Sequence, residues 1–532
     1  MNFINKILLR KKIKRKFSDL FKNALLNKKK DKIILLEFHN STFTHIGSSY
    51  VCDILSKKHN ARIEAFPAYQ LAQSNLKQTI SQKLLWYFGN LLSLKTFGIY
   101  KSFGVAKIFW PKFKDDIYKK SLREFKNYNN KIRKKEDVEN YKIEGILVGD
   151  LIYDSFLKKK LYPTIEIESE EFKNFFFESI MLFFFWKHYF KNNKVSAVIL
   201  FHSVYLSALP SRISISKKIP TYIVNIEKLY CLDDKRKFIG LEYLDYKKRF
   251  NMFSKSNKNN KLIEAESSLL RRFNGKLSSD LIYTLKSAFG KKTNKRVLKR
   301  SNRLKILIAP HSFCDSPHFF GNAFFPDNFE WLKNLGKISN KTNYDWYIKC
   351  HPDFTSYFDN TPEIVKDFVK KYPKIKMLEA STSHNQLINE GIDYVLTVYG
   401  TISGEYPYFG INAINASSKH TQAKYTFTIT PKNRKYYIKL IKNLKRRKKL
   451  NKRREILEHY YMKYKFYNNG WFFNDLNEVK KSVNGYHNLV KLELYKYWIE
   501  NFDLKNHFIK YKNLEKFFKS KSYVFINNQN NS

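Results

Sequence analysis

Leu304-Lys-Ile-Leu-Ile-Ala309-Pro310-His-Ser-Phe-Cys-Asp-Ser-Pro-His318 is the stretch that decides the fold. Its first six residues are almost continuously apolar and too short for a helix, the pattern of a strand buried on both faces of a parallel sheet. A polar, histidine-bearing loop follows at once. The same rhythm repeats downstream, with a helix over 328–339, a strand over 346–350 ending in His351-Pro352, a helix over 363–371 and a strand over 375–378. A helix over 385–390, a strand over 394–398, the loop Tyr399-Gly-Thr-Ile-Ser403 opening a short helix, and a strand over 411–415 complete it. Five strands alternating with helices predict a parallel α/β sheet.

Moving towards the amino terminus, Lys32-Ile-Ile-Leu-Leu-Glu-Phe38 has the same character, a helix runs from Gly47-Ser48-Ser49 towards Lys58, and Arg62–Phe66 forms a second strand. Together these make one βαβ unit. Further strands are expected at 145–148, 195–201 and 221–224, with helices between them. The aromatic-rich helix over 171–190 reads as core rather than as a ligand box. Between the two series, Ser254-Lys-Ser-Asn-Lys-Asn-Asn260 reads as a polar turn and 291–303 as a basic connection. The expected organisation is a basic helix over 1–30, an N-terminal Rossmann-like acceptor domain over 31–250 and a connection over 251–303. A C-terminal Rossmann-like donor domain over 304–432 and a basic helical tail over 433–532 follow.

Composition narrows the classes. With 532 residues, 43% of them hydrophobic, and a mean hydropathy of -0.51, the chain is a multidomain globular protein rather than a disordered or fibrous one. No apolar run approaches a membrane span, and the first 30 residues lack the core of a secretory signal. Ninety-nine Lys and Arg against 47 Asp and Glu give +52, which favours nucleic acid or an anionic membrane as partner. The accompanying excess of Asn, Ile, Phe and Tyr is what AT-rich codons produce, and no RNA-binding aromatic sheet, zinc-finger or KH pattern is present, so nucleic acid is the weaker reading. Residues 1–30 read either as an amphipathic anchor on anionic lipid or as a surface helix with a solvated face. Cys52, Cys231, Cys314 and Cys350 form no CxxC pair and fit a reducing cytoplasm.

Ligands of open parallel sheets sit beyond the carboxyl ends of the strands. Every chemically useful cluster of the second half falls there: His311, Asp315 and His318 after one strand, Lys349, His351 and Asp353 at another, Thr401, Ser403 and Glu405 after a third. These groups are expected to converge on one pocket. The loop Gly400-Thr-Ile-Ser-Gly404 can hold phosphate through backbone donors, or Ser403 can simply cap a helix. Glu405 suits ribose hydroxyls, or is an ordinary first-turn carboxylate. Lys349 and His351 add donor character for a phosphate leaving group. His311, Asp315 and His318 could line a substrate loop, ligate a metal or be structural; the spacing is no metal signature, and none is expected. On the N-terminal side His39, His45 and Asp150 are candidate acceptor bases.

The motifs His311-Ser-Phe-Cys-Asp-Ser-Pro-His318, Phe325-x3-Phe329-x-Trp331-Leu332, Trp346-x-Ile348-Lys349-x-His351-Pro352 and Thr397-x2-Gly400-Thr401-x2-Gly404-Glu405-x4-Gly410 resemble bacterial capsule and surface polysaccharide biosynthesis proteins. The similarity is to their glycosyltransferase side, which includes the capsular Kdo transferases. Val148-Gly149-Asp150-Leu-Ile-Tyr153-Asp154 and His202-x2-Tyr205 add looser agreement. The resemblance implies a two-Rossmann GT-B fold and transfer of a sugar from a nucleotide-sugar donor to a lipid-linked or growing glycan. It places Lys349 and His351 at the donor phosphate or nucleotide, with His311 in the same donor site, Thr401 and Ser403 at phosphate and Glu405 at ribose. It implies no cofactor and no obligatory metal; the cysteine usage adds the expectation of a cytoplasmic enzyme, peripheral on the membrane face in the anchor reading of residues 1–30. Glycerophosphotransferases and sugar-nucleotide 2-epimerases share similar elements and are the alternative enzymes; a membrane- or nucleic-acid-binding scaffold is the non-enzymatic one.

Overall fold

The computed structural model describes residues 3–39, 41–67, 81, 84, 88, 97–276, 286–290, 295–354, 360–447, 451–467, 470–473, 475–520 and 522–526. Two parallel sheets dominate. The first contains β1 (Ile33–Phe38), β2 (Arg62–Pro67), β3 (Val105–Ile108), β4 (Val195–Leu200), β5 (Thr221–Val224) and β6 (Leu229–Leu232), in the order β3-β2-β1-β4-β5-β6. All its pairings are parallel except β5 with β6. The second contains β7 (Lys305–Ile308), β8 (Asp345–Lys349), β9 (Ile375–Leu378), β10 (Tyr394–Thr397) and β11 (Asn412–Asn415), in the order β9-β8-β7-β10-β11, parallel throughout. Every residue of β1, β7, β10 and β11 is buried, as an apolar strand covered by helices on both faces requires. These are two Rossmann-like α/β domains.

Helices fill both faces of each sheet. On one face of the first lies α2 (Thr42–His59), behind β1; on the other lie α3 (Gly149–Lys160), α4 (Glu170–Asn192) and α5 (Leu209–Ser216). Helix α4 places Phe172, Phe176, Phe183 and Trp186 in the core, so its aromatics are packing residues. In the second domain α7 (Asn328–Asn340) and α8 (Thr361–Lys371) cover one face, while α9 (His384–Asn389) and α10 (Ile402–Glu405) cover the other.

Two local expectations change, and part of a third lies outside the described residues. Residues 145–148 do not join the main sheet: Lys142–Ile143 and Ile146–Leu147 make a small antiparallel hairpin, turned by Glu144 and Gly145 at φ 49° and 77°, a turn with two positive φ angles. The polar stretch 254–260 is not a turn but the start of α6 (Lys255–Phe273), capped by the Ser254 hydroxyl accepting from the Asn257 amide. Residues 277–285 and 291–294 of the expected connection lie outside the described residues.

The tail returns to the first domain. Tyr523 and Phe525 pair with the β6 edge, the Cys231 amide donating to Tyr523 O at 2.8 Å and the Phe525 amide to Leu229 O at 2.9 Å. Its helices α11 (Leu492–Glu500) and α12 (Leu504–Ser520) lie over α2, and the opening helix α1 (Phe3–Leu20) packs on α11. No described helix is long and apolar enough to cross a membrane.

Candidate functional site

Chain direction creates a crevice in each sheet. From β1 the chain crosses one face through α2 to β2, and from the adjacent β4 it crosses the opposite face through α5 to β5. From β7 it passes α7 to β8, and from the adjacent β10 it passes α10 on the other face to β11. Beyond the carboxyl ends of such diverging neighbours the backbone leaves room for ligand. Glu37, His39 and His202 stand at the first of these points; His311, Thr397, Tyr399 and Gly400 stand at the second. The Tyr205 hydroxyl donates to Asp315 Oδ1 at 2.5 Å and ties the two together.

Four strand-end histidines share one device. His39 Nδ1 accepts from the Ser41 amide at 3.1 Å, His202 Nδ1 from Ser203 at 3.1 Å, His311 Nε2 from Tyr399 at 3.2 Å and His351 Nδ1 from Asp353 at 3.2 Å. A ring nitrogen that accepts carries no proton, so each neutral imidazole presents its other nitrogen as an N–H donor. Burial pushes His39, His202 and His311 down to about 4 and keeps them neutral. His39 is stacked on Phe201, ring centroids 4.4 Å apart. These rings are therefore oriented donors for hydroxyl or phosphate oxygens rather than bases.

The second crevice has unbalanced positive charge. Lys349, the last residue of β8, is 4% exposed, and burial lowers its ammonium to about 8. Among the described residues it has no carboxylate or hydrogen-bond partner. Burial holds His384 well below its ordinary value, and Lys349, Arg272 from α6 and His351 lie close enough to lower it further; its Nδ1 pairs with the Tyr406 hydroxyl at 2.6 Å. Desolvation, with Lys349 and Arg272, also holds His351 low against the pull of Asp353. Arg272 has its own partner, since its Nε and Nη2 meet Glu405 Oε1 at 2.8 and 2.7 Å. A buried ammonium without an anion is costly unless a ligand supplies one.

The other expected residues fall into two groups. Thr401 begins α10 beside Gly400, whose backbone runs so close to His311 that an added Cβ would lie 2.7 Å from Thr397 Oγ1 and 3.5 Å from His311 Nε2. Asp315 stays at the cleft, where it also faces Lys158 at 3.7 Å. The remaining side chains are turned inward. Ser403 is wholly buried and donates to Gly400 O at 2.8 Å, and Glu405, expected at ribose, is the partner of Arg272. His318 is not in the cleft, because Asp154 (2.6 Å) and Glu139 (2.9 Å) of the first domain take both ring nitrogens. That bridge leaves it no lone pair for a metal; among the described residues no three His, Cys, Asp or Glu side chains are grouped as a metal would require. His45 is buried in the first turn of α2 between His39 O and the Tyr495 hydroxyl, and Asp150 is buried against Arg212 at 2.6 Å. Neither is placed to meet an acceptor.

Glu37 went unrecognised in the sequence. It is buried at the end of β1, with Oε2 accepting from the Phe201 amide at 2.7 Å, and burial pushes its carboxyl up to about 7. One acid inside an otherwise apolar strand was the available signal.

No family model and no curated protein sequence matches the chain. Among solved structures it is similar to a β-Kdo 2,4 transferase, KpsC of Thermosulfurimonas dismutans, at 14% identity and TM-score 0.31, over 50% of this chain and 79% of that one. The β-Kdo 2,7 transferase of the same organism aligns at 15% identity and TM-score 0.30, over 57% of this chain and 84% of that one. A UDP-GlcNAc 2-epimerase of Methanocaldococcus jannaschii, in complex with UDP-GlcNAc and UDP, aligns at 12% identity and TM-score 0.23, over 80% of this chain and 97% of that one. Likenesses this distant assign no residue and no reaction.

Proposed function

We propose that the protein is a glycosyltransferase that moves a sugar from a nucleotide-activated donor to a surface-glycan acceptor, in the cleft between the two crevices. The observation that carries this reading is Lys349, a buried ammonium with no carboxylate partner among the described residues, at the carboxyl edge of the second sheet. A donor diphosphate or phosphomonoester supplies the anion. Lys349 and the His351 N–H hold its oxygens, with the His311 N–H and Thr401 beside them, and their contacts strengthen as the departing phosphate gains charge.

From the other side, the His39 and His202 N–H groups orient acceptor hydroxyls. An acceptor oxygen attacks the anomeric carbon, the bond from that carbon to the phosphate oxygen breaks with its electron pair staying on phosphate, and Glu37 takes the hydroxyl proton. A carboxyl near 7 is partly ionised at neutral pH and basic enough for this task. Kdo is one candidate donor sugar. Glycerophosphate transfer and 2-epimerisation would use the same phosphate grip. Product analysis separates the three: free nucleotide with a glycosylated acceptor supports the proposal, while a transferred phosphoglycerol unit or an isomerised nucleotide sugar replaces it.

A further inference from the structure

We propose that α1 and α12 seat the protein on an anionic phospholipid bilayer, an inference independent of the cleft's chemistry. Helix α1 is fixed by one face: Ile13 and Phe17 are wholly buried, Leu9 and Leu20 partly so, and Phe17 meets Trp498 of α11 with ring centroids 5.5 Å apart. At 3.6 residues per turn, Ile4, Leu8, Lys11 and Arg15 fall on the opposite face. Ile4 and Leu8 are 66% and 55% exposed, with Lys11, Lys12 and Arg15 also exposed beyond them. Apolar side chains directed away from the core that anchors their helix, and set among basic ones, suit a second apolar phase.

The far end of the chain adds to this surface. α12 buries His507, Leu514, Phe517 and Phe518 while Leu504, Phe508 and Ile509 are exposed, Phe508 by 62%. Lys505, Lys512, Lys516 and Lys519 are exposed along the same helix. Flanking residues link the two helices: Lys16 of α1 lies 3.6 Å over the ring of Phe502, just before α12, and Phe21, just after α1, approaches His507 of α12, centroids 6.3 Å apart. α12 packs on α2, which is buried over most of its length, and α1 packs on α11, which lies on α2 beside it.

Charge selects the occupant. α1 carries seven Lys and Arg against Asp19, and α12 five Lys against Glu515. Basic residues around exposed aliphatic and aromatic ones match an acidic headgroup layer above acyl chains. A nucleic-acid backbone would satisfy the lysines but offer nothing to Ile4, Leu8 and Phe508. Seated this way, the protein can meet an acceptor carried on lipid.

Co-sedimentation of the full chain with vesicles tests this. Binding is expected to vesicles of phosphatidylglycerol and phosphatidylcholine, to fall with added salt, and to be weak with phosphatidylcholine alone. Lys11→Gln/Lys12→Gln/Arg15→Gln should weaken binding about a hundredfold, about fivefold per charge. Ile4→Asp/Leu8→Asp should weaken it at unchanged salt. All five positions are exposed, and an unchanged thermal melt of each variant verifies the fold. Equal binding to both vesicle types, unchanged binding by the variants, or retention on RNA but not on vesicles would overturn the proposal.

Discussion

Replacing Glu37 by Gln should stabilise the protein while stopping its chemistry. Burial raises the carboxyl from 4.5 to about 7, so the folded state disfavours the ionised form. The protonated form's advantage is fully present below the unfolded value and is lost as pH rises through the folded one. By linkage that difference corresponds to about 3 kcal/mol, missing above about pH 7 and restored near pH 4. Gln keeps the oxygen that accepts from the Phe201 amide and cannot ionise. Denaturant unfolding of wild type and variant, with the probe following both domains, should therefore show nearly equal stability at about pH 4. The variant should be more stable by about 2–3 kcal/mol at about pH 8. Turnover by the wild type should rise through about pH 7, and the variant should bind nucleotide normally but turn over at least a hundredfold more slowly. A stability difference independent of pH would refute the ionisation argument, and wild-type turnover by the variant would remove Glu37 from the chemistry.

Other outcomes follow from the same contacts. Lys349 should lose charge as pH rises through about 8, so nucleotide affinity measured by calorimetry should decline on that side of neutrality; a flat profile to well above 8 counts against its role. His318→Phe leaves Asp154 and Glu139 buried without their cation and should destabilise the folded protein by about 3–5 kcal/mol in chemical denaturation. The His318 imidazole is raised well above its ordinary range, so its contribution is present below about 6.5 and disappears as pH rises through the higher folded value. Gly400→Ala forces a methyl against Thr397 and should weaken nucleotide binding about tenfold or more with the melt little changed. Trp186→Ala in α4 should cost about 3–5 kcal/mol without changing the nucleotide affinity of the folded protein.

Strands of the buried parallel kind were legible because hydrophobicity alone specifies them: Ile33–Phe38 and Lys305–Ile308 have apolar side chains on both faces. Residues 254–260 were not, since the apolar anchors of α6, Ala265, Leu269 and Phe273, lie in its second half. β3 and β6 escaped because neither stands out as a buried apolar run: Lys107 is exposed within β3, and Asp233 and Asp234 follow directly on β6. At the cleft, position on a strand end was readable and side-chain partnership was not. Lys349 and His351 keep their places at the carboxyl end of β8 with no carboxylate bonded to Lys349 among the described residues, whereas Glu405, His318 and Asp150 are turned inward by Arg272, Asp154 and Arg212, residues distant in sequence. Glu37 shows the converse: an acid buried in a hydrophobic strand is conspicuous only once its strand end is known to face a cleft.

The most direct measurement is titration calorimetry of CMP, CDP and UDP against wild type and Lys349→Met. The methionine fills the buried space without the charge, so the fold should persist and even gain stability. At least one nucleotide should bind the wild type, and its affinity for Lys349→Met should be about a hundredfold weaker, about 3 kcal/mol for a charge-assisted phosphate contact in a buried site. Equal affinities would contradict the assignment of the pocket, and no binding by the wild type would contradict a nucleotide-dependent enzyme.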